Sequence, residues 1–81
     1  MKNLKELQQI FDYKEINKEY LQFYNNGFTI NVFIRKDYYL ISIEDGIGIV
    51  FADFVETVEE VYSLVLACEY DCTNEFNNLI N

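Results

Sequence analysis

The dipeptide Asn26-Gly27 is the feature that most restricts how this chain can fold. Both residues tolerate positive φ, which a two-residue type I′ hairpin turn requires at its two central positions. Closing a turn there sorts the flanking residues into two sets of cross-strand pairs. One set is Asn25 with Phe28, Phe23 with Ile30 and Leu21 with Val32, and the other is Tyr24 with Thr29, Gln22 with Asn31 and Tyr20 with Phe33. This two-residue alternation predicts an antiparallel strand pair. A helix over residues 13–24, ended by Gly27, is the alternative that the pattern leaves open.

The segment before the hairpin begins with a helical pattern. Residues 3–11 repeat apolar side chains at helical spacing, and Asn3 with Glu6 matches a capping box. The residues that follow are ambiguous, since Asp12 with Glu15 would cap a second helix.

The segment after the hairpin is rich in β-branched and aromatic residues. Residues 38–44 alternate as a strand does, and Asp45-Gly46 is a second turn signal that leads into a further apolar run over residues 47–51. These strands predict a three- or four-stranded antiparallel meander.

An amphipathic helix is predicted to start near residue 54. Either Asp53 with Glu56 or Thr57 with Glu60 would cap it. Its apolar face would hold Val55, Val58, Val61, Tyr62, Val65 and Cys68, and its opposite face Asp53, Glu56, Glu59, Glu60 and Ser63. Such a helix packs its valine side on the sheet and shows its carboxylates to water.

These elements predict an α+β fold. Thr73 is a candidate cap for a last short helix, and 81 residues allow one domain spanning residues 1–81.

Charge is divided unevenly along the chain. The first 36 residues hold all six basic residues and four acids, a net charge of +2, whereas the remaining residues hold ten acids and no basic residue, a net charge of −10. The ten acids are Asp37, Glu44, Asp45, Asp53, Glu56, Glu59, Glu60, Glu69, Asp71 and Glu75. This half repels nucleic acid and anionic membranes, and it favours a partner protein with a basic surface. The alternative is that acidity only keeps a small, apolar protein soluble.

Two surfaces are candidates for partner binding. The first is an acidic row on the predicted helix, formed by Asp53, Glu56, Glu59 and Glu60 and extended by Glu69, Asp71 and Glu75. Helical spacing puts such charges roughly 5–11 Å apart, a scale similar to the ~7 Å between phosphates along a DNA strand. The second is an aromatic sheet face, formed by Tyr20, Tyr24, Phe33, Tyr38, Leu40 and Phe51. That face needs the first helix, a second copy of the chain or a partner to cover it.

Nothing in the sequence matches a catalytic or metal-binding motif. The chain has no histidine, and Cys68 and Cys72 lack the spacing and the companions of a metal site. We therefore expect no enzymatic activity, no metal and no cofactor. The first residues lack the apolar segment of a signal peptide, and apolar runs are too short to span a bilayer, so we expect a cytoplasmic protein.

In its order of elements the chain resembles small acidic anti-CRISPR proteins of phages. Phe33-Ile34-Arg35, followed by Tyr39-Leu40-Ile41-Ser42 and an acid-rich end, is similar to inhibitors of the nuclease Cas9. The resemblance implies a protein that occupies the positively charged site where its partner reads duplex DNA. An immunity protein or antitoxin that neutralises a basic toxin is one alternative, and a homodimeric structural protein is another. Abundant Asn, Ile and Lys indicate AT-rich coding, typical of a low-GC bacterium or its mobile elements.

Overall fold

The computed structural model describes residues 3–68, which form two helices and a five-stranded antiparallel meander in the order β1-β2-β3-β4-β5. The elements are α1 (Leu4–Ile10), β1 (Asp12–Asn17), β2 (Tyr20–Asn25), β3 (Phe28–Ile34), β4 (Tyr39–Glu44), β5 (Ile49–Val55) and α2 (Val58–Leu66). The predicted α+β class is confirmed, with five strands instead of three or four. Within the described residues, neither helix has the length and apolar character needed to cross a lipid bilayer. The predicted last helix, capped by Thr73, lies outside the described residues.

The central hairpin forms as the sequence predicts. Asn26 and Gly27 adopt positive φ values of 52° and 84°, as a type I′ turn demands. All six predicted pairs between β2 and β3 occur, from Asn25 with Phe28 to Tyr20 with Phe33.

Residues 12–17 are an edge strand, so the alternative of a helix over residues 13–24 is wrong. Strand β1 pairs with β2, and Tyr13 lies opposite Phe23 with the ring centroids 6.5 Å apart. Every residue of β1 is exposed. The open edge of β2 supplies a ladder of backbone hydrogen bonds, and this tertiary context outweighs the weak local helix pattern.

The loop between β4 and β5 is longer than the predicted two-residue turn. The Asp45 carboxylate accepts hydrogen bonds from the backbone amides of Ile47 and Gly48 at 2.9 and 3.1 Å. These bonds hold the pKa of Asp45 below its ordinary value of 3.8, because they favour the charged carboxylate. The loop therefore runs to Gly48, and β5 starts at Ile49.

This longer loop moves Phe51 to the buried face, contrary to its predicted place on the aromatic sheet face. A turn of only Asp45-Gly46 would pair Ile43 with Gly48, but Ile43 pairs with Phe51. The register is shifted by an odd number of residues, which exchanges the two faces of a strand.

Helix α2 starts at Val58, later than predicted, because β5 continues to Val55. The cap is Thr57, whose side chain accepts a hydrogen bond from the Glu60 amide at 3.2 Å. The second of the two proposed capping boxes is thus confirmed, and the first is wrong because Asp53 belongs to β5.

The core lies between one sheet face and the two helices. Helix α1 contributes Leu4 and Leu7, and α2 contributes Val58, Val61 and Val65. The sheet contributes Leu21, Phe23, Phe28, Ile30, Val32, Ile41, Ile43, Phe51 and Val55. The predicted valine face of α2 is confirmed for Val58, Val61 and Val65, whereas Val55 belongs to β5 and Cys68 follows the helix.

The turn of the central hairpin also forms hydrogen bonds with the C-terminal end of α2. The side-chain amides of Asn25 and Asn26 donate hydrogen bonds of 2.9 Å to the carbonyl oxygens of Val65 and Cys68. Carbonyls at a helix end lack intrahelical donors, and the last turn of α2 has no basic residue. The turn that sets the strand register therefore also anchors this helix.

We expect Asn26→Gly to lower the free energy of unfolding by about 1 kcal/mol, the usual net contribution of one hydrogen bond. Glycine keeps the positive φ of the turn, so the loss reports the contact with Cys68 rather than the hairpin. Urea unfolding measures the change, and Lys36→Gly, at an exposed position between β3 and β4, is a control for the flexibility that an added glycine gives the unfolded chain. An Asn26→Gly variant as stable as the wild type would show that this contact contributes nothing.

Candidate functional site

The sheet face opposite the helices is not covered by any helix or strand of residues 3–68. Cross-strand pairing places on it the side chains that alternate with the core residues, including Gln22 of β2, Asn31 of β3 and Ser42 of β4. The face has a polar half near the β2–β3 turn and an aromatic half at the opposite end of these strands.

The polar half is a hydrogen-bond network centred on Asn31, the one buried polar residue in the described chain. Its Oδ1 accepts hydrogen bonds from Tyr20 Oη at 2.6 Å and Gln22 Nε2 at 2.9 Å. Its Nδ2 donates to Glu44 Oε2 at 2.7 Å and to Ser42 Oγ at 3.2 Å. The network satisfies the buried amide and links three strands, so it stiffens the sheet.

The aromatic half runs across strands β2 to β5. Tyr20 and Phe33 stack with their centroids 4.4 Å apart. Phe33, Leu40 and Phe54 are neighbours across the ladder. The row ends where Tyr38 meets Phe54 edge-on, at 5.9 Å between centroids and 74° between ring planes.

Tyr38 and Phe54 form the walls of an open groove of about 490 Å³. We call it the aromatic groove, lined by Asp37, Tyr38, Leu40, Phe54 and Glu56. A second depression of about 340 Å³ adjoins it and shares Leu40 and Phe54; Asp53 and Phe33 also line it. Phe54 is 57% exposed and Tyr38 is 39% exposed, so large apolar surface here faces water.

The structure brings four of the predicted partner-binding residues to these two depressions: Tyr38, Phe33, Asp53 and Glu56. The predicted row of charges along one helix is wrong, because Asp53 lies in β5 and Glu56 precedes α2. The Asp53 carboxylate accepts a hydrogen bond from the backbone amide of Phe54 at 2.7 Å. These two carboxylates therefore lie on β5 and on the link between β5 and α2, and they are not spaced along a helix.

The other predicted acids have different places. Glu59 and Glu60 occupy the first turn of α2, where a negatively charged side chain interacts favourably with the helix dipole. Glu60 Oε1 also accepts hydrogen bonds from Thr57 Oγ1 at 3.0 Å and the Glu56 amide at 3.4 Å, so it has a structural role. Glu69, Asp71 and Glu75 lie outside the described residues.

Sequence reasoning missed two members of the groove, Asp37 and Phe54. Phe54 was assigned to the start of a helix, so its place opposite Leu40 was not foreseen. The sequence does contain a strand pattern here, since Val50, Ala52 and Phe54 alternate with Phe51 and Val55, which are buried.

A cation of the chain itself already lies on the aromatic half. The Arg35 guanidinium carbon is 5.8 Å from the centroid of the Phe33 ring, within the range of a cation–π interaction. Arg35 Nη1 also donates to the Ile34 carbonyl oxygen at 3.2 Å.

Residues 3–68 contain no cluster of three or more potential metal-ligating side chains. Cys68 is buried, and its thiol donates to the Leu64 carbonyl oxygen at 3.3 Å.

Comparisons with protein-family models, with curated proteins and with solved structures find no match to this chain. The resemblance to anti-CRISPR proteins stays a prediction.

Proposed function

We propose that this protein binds a partner protein with a basic surface and inhibits it by occupying the site where that partner holds nucleic acid. The observation that carries the proposal is the aromatic groove, which is lined by two exposed rings, Tyr38 and Phe54, and by two acidic residues, Asp37 and Glu56.

The composition of this surface supports a protein partner. Exposed aromatic side chains supply the anchors that dominate many protein interfaces. Carboxylates at the rim attract a basic surface over a distance and speed association. Because residues 37–81 hold no basic residue, no cation from that half of the chain neutralises these acids.

The carboxylates of this surface also explain how binding would inhibit the partner. A surface that binds DNA or RNA carries clustered lysine and arginine side chains. An acidic protein that covers them competes directly with phosphates, needs no enzymatic activity and would act in the cytoplasm. An immunity protein or antitoxin that neutralises a basic toxin would use the same surface.

A homodimer is the weaker candidate for the same face. The net charge is −8, and two copies joined through their grooves would bring Asp37 and Glu56 of each close to like charges.

The proposal is tested by competition with DNA. Tagged protein is incubated with the fraction of a low-GC bacterial lysate that a DNA column retains. The captured protein is purified, and its release of fluorescent duplex DNA is followed by anisotropy. We expect this protein to displace the DNA, with an affinity that falls as salt rises.

The double variant Asp37→Lys/Glu56→Lys should weaken this displacement roughly tenfold or more, since two rim contacts become repulsive. Its matched control is Asp12→Lys/Glu19→Lys, which changes the net charge equally at exposed positions in β1 and the β1–β2 turn. An equal loss in both variants would make the effect one of overall charge, and no displacement by the wild type would refute the inhibitory role.

A further inference from the structure

We infer that the aromatic groove binds an arginine side chain of the partner, with the guanidinium group on the rings of Tyr38 and Phe54 and the carboxylates of Asp37 and Glu56 as its counter-ions. The inference rests on the proposed function, because it names the chemical group by which the partner is recognised.

The geometry of the groove fits a flat cation with an apolar stem. The Tyr38 and Phe54 rings meet edge-on at 74° with their centroids 5.9 Å apart. They pack against each other and leave outer ring surface exposed, on which a cation can stack. Leu40 lies on the same sheet face as Phe54 and offers an apolar contact for the methylene stem. The two acidic residues that line the groove, Asp37 and Glu56, supply the charge.

The chain itself contains a smaller version of this contact. Arg35 holds its guanidinium group 5.8 Å from the Phe33 centroid at the neighbouring position of the same aromatic row. Arg35 Nη1 donates a hydrogen bond to the Ile34 carbonyl oxygen. The aromatic groove adds a second ring and two acids, so it is the better site for a cation from outside.

Arginine fits this site better than lysine does. A guanidinium group is planar, stacks on aromatic faces and binds carboxylates through two parallel hydrogen bonds. An ammonium group is a compact charge that is strongly hydrated and loses more on leaving water.

The test uses the whole protein and capped glycine-rich peptides that carry two arginines, two lysines or two citrullines. Citrulline keeps the planar shape but has no charge. Binding is followed by ¹H–¹⁵N correlation spectra of the labelled protein. We expect the arginine peptide to shift the signals of Tyr38, Leu40, Phe54 and Glu56, the lysine peptide to bind more weakly and the citrulline peptide to cause no shift there.

One variant tests the contribution of a groove ring, and a second is a control for the loss of a charge elsewhere on the surface. Phe54→Leu keeps an apolar side chain and removes the ring face, and it should weaken binding of the arginine peptide roughly two- to fivefold, the range of an exposed cation–π contact. Glu19→Gln removes a charge from the exposed β1–β2 turn and should leave binding in the groove unchanged.

Failure of this inference is distinguishable from failure of the proposed function. If Phe54→Leu leaves the arginine peptide bound as before, or if lysine binds equally well, the arginine site is refuted even where the protein still displaces DNA from its partner. If the peptide binds in the groove but no DNA is displaced, the arginine site stands and the inhibitory role falls. Groove signals that shift with protein concentration alone would assign the groove to a second copy of the chain and overturn the inference.

Discussion

Replacing Phe23 by alanine is expected to remove a large part of the protein's stability. Phe23 lies in β2, between β1 and β3 in the sheet, and is fully buried. It is opposite Ile30 on one side and Tyr13 on the other. Removing a buried phenylalanine ring costs about 3–5 kcal/mol, through lost burial and the cavity left behind. A domain of 81 residues has a total stability of roughly 4–12 kcal/mol, so the loss takes between about a quarter and all of it.

Phe54→Ala is the matched control, because it makes the same change at a ring that is 57% exposed. We expect this variant to lose less than about 1 kcal/mol, as exposed positions generally do. Urea unfolding followed by circular dichroism measures both. Similar losses in the two variants would contradict the assignment of Phe23 to the core and Phe54 to the open face.

Asn31→Asp is expected to destabilise the protein by about 2–3 kcal/mol at neutral pH. Asn31 Nδ2 donates to Glu44 Oε2 at 2.7 Å, and a carboxylate at residue 31 would replace that donor with an acceptor of the same charge. Losing a hydrogen bond to a charged group costs about 1.5–3 kcal/mol, and repulsion between two close carboxylates adds to it.

The effect of Asn31→Asp should depend on pH with a defined sign. Two adjacent carboxylates raise the pKa of the pair in the folded state above its value in the unfolded chain. The folded variant then binds more protons than the unfolded chain, so its stability falls as the pH rises through this window. We expect the difference from the wild type to be smallest in acid and largest near neutrality, as measured by thermal unfolding at several pH values.

A second substitution provides the control for this network. Adding Glu44→Gln to Asn31→Asp restores a donor, now on residue 44, facing the new carboxylate. The double variant should recover much of the lost stability, whereas Glu44→Gln alone should cost less than Asn31→Asp. A double variant no more stable than Asn31→Asp would show that the 2.7 Å contact does not carry the effect.

The parts of the fold that were predictable share one property: their signals are local. Asn26-Gly27 fixes its turn through its own φ values, and the alternation around it then dictates the register between β2 and β3. Asn3 and Thr57 start their helices through bonds to amides three residues later. Contacts this short are readable from the order of residues alone.

The candidate site was predictable in its chemistry but not in its geometry. The acids and aromatic residues of the second half of the chain were identified as a partner-binding surface, and Tyr38, Asp53 and Glu56 do lie together beside the aromatic groove. Their predicted spacing along one helix was wrong, since it depended on where β5 ends.

The sequence by itself determined the α+β class, the register of the central hairpin, the cap of α1 and the one-sided distribution of charge, and it left two candidate caps for α2. Tertiary structure alone decided that residues 12–17 pair with the edge of β2. It also decided the length of the loop between β4 and β5, which sets the register of β5 so that Phe51 faces the core and Phe54 faces the open side of the sheet. The physical reason is that a strand gains its hydrogen bonds and its buried face from a partner elsewhere in the chain. A one-residue change in register exchanges the two faces, and no local pattern fixes that register once the loop length is free.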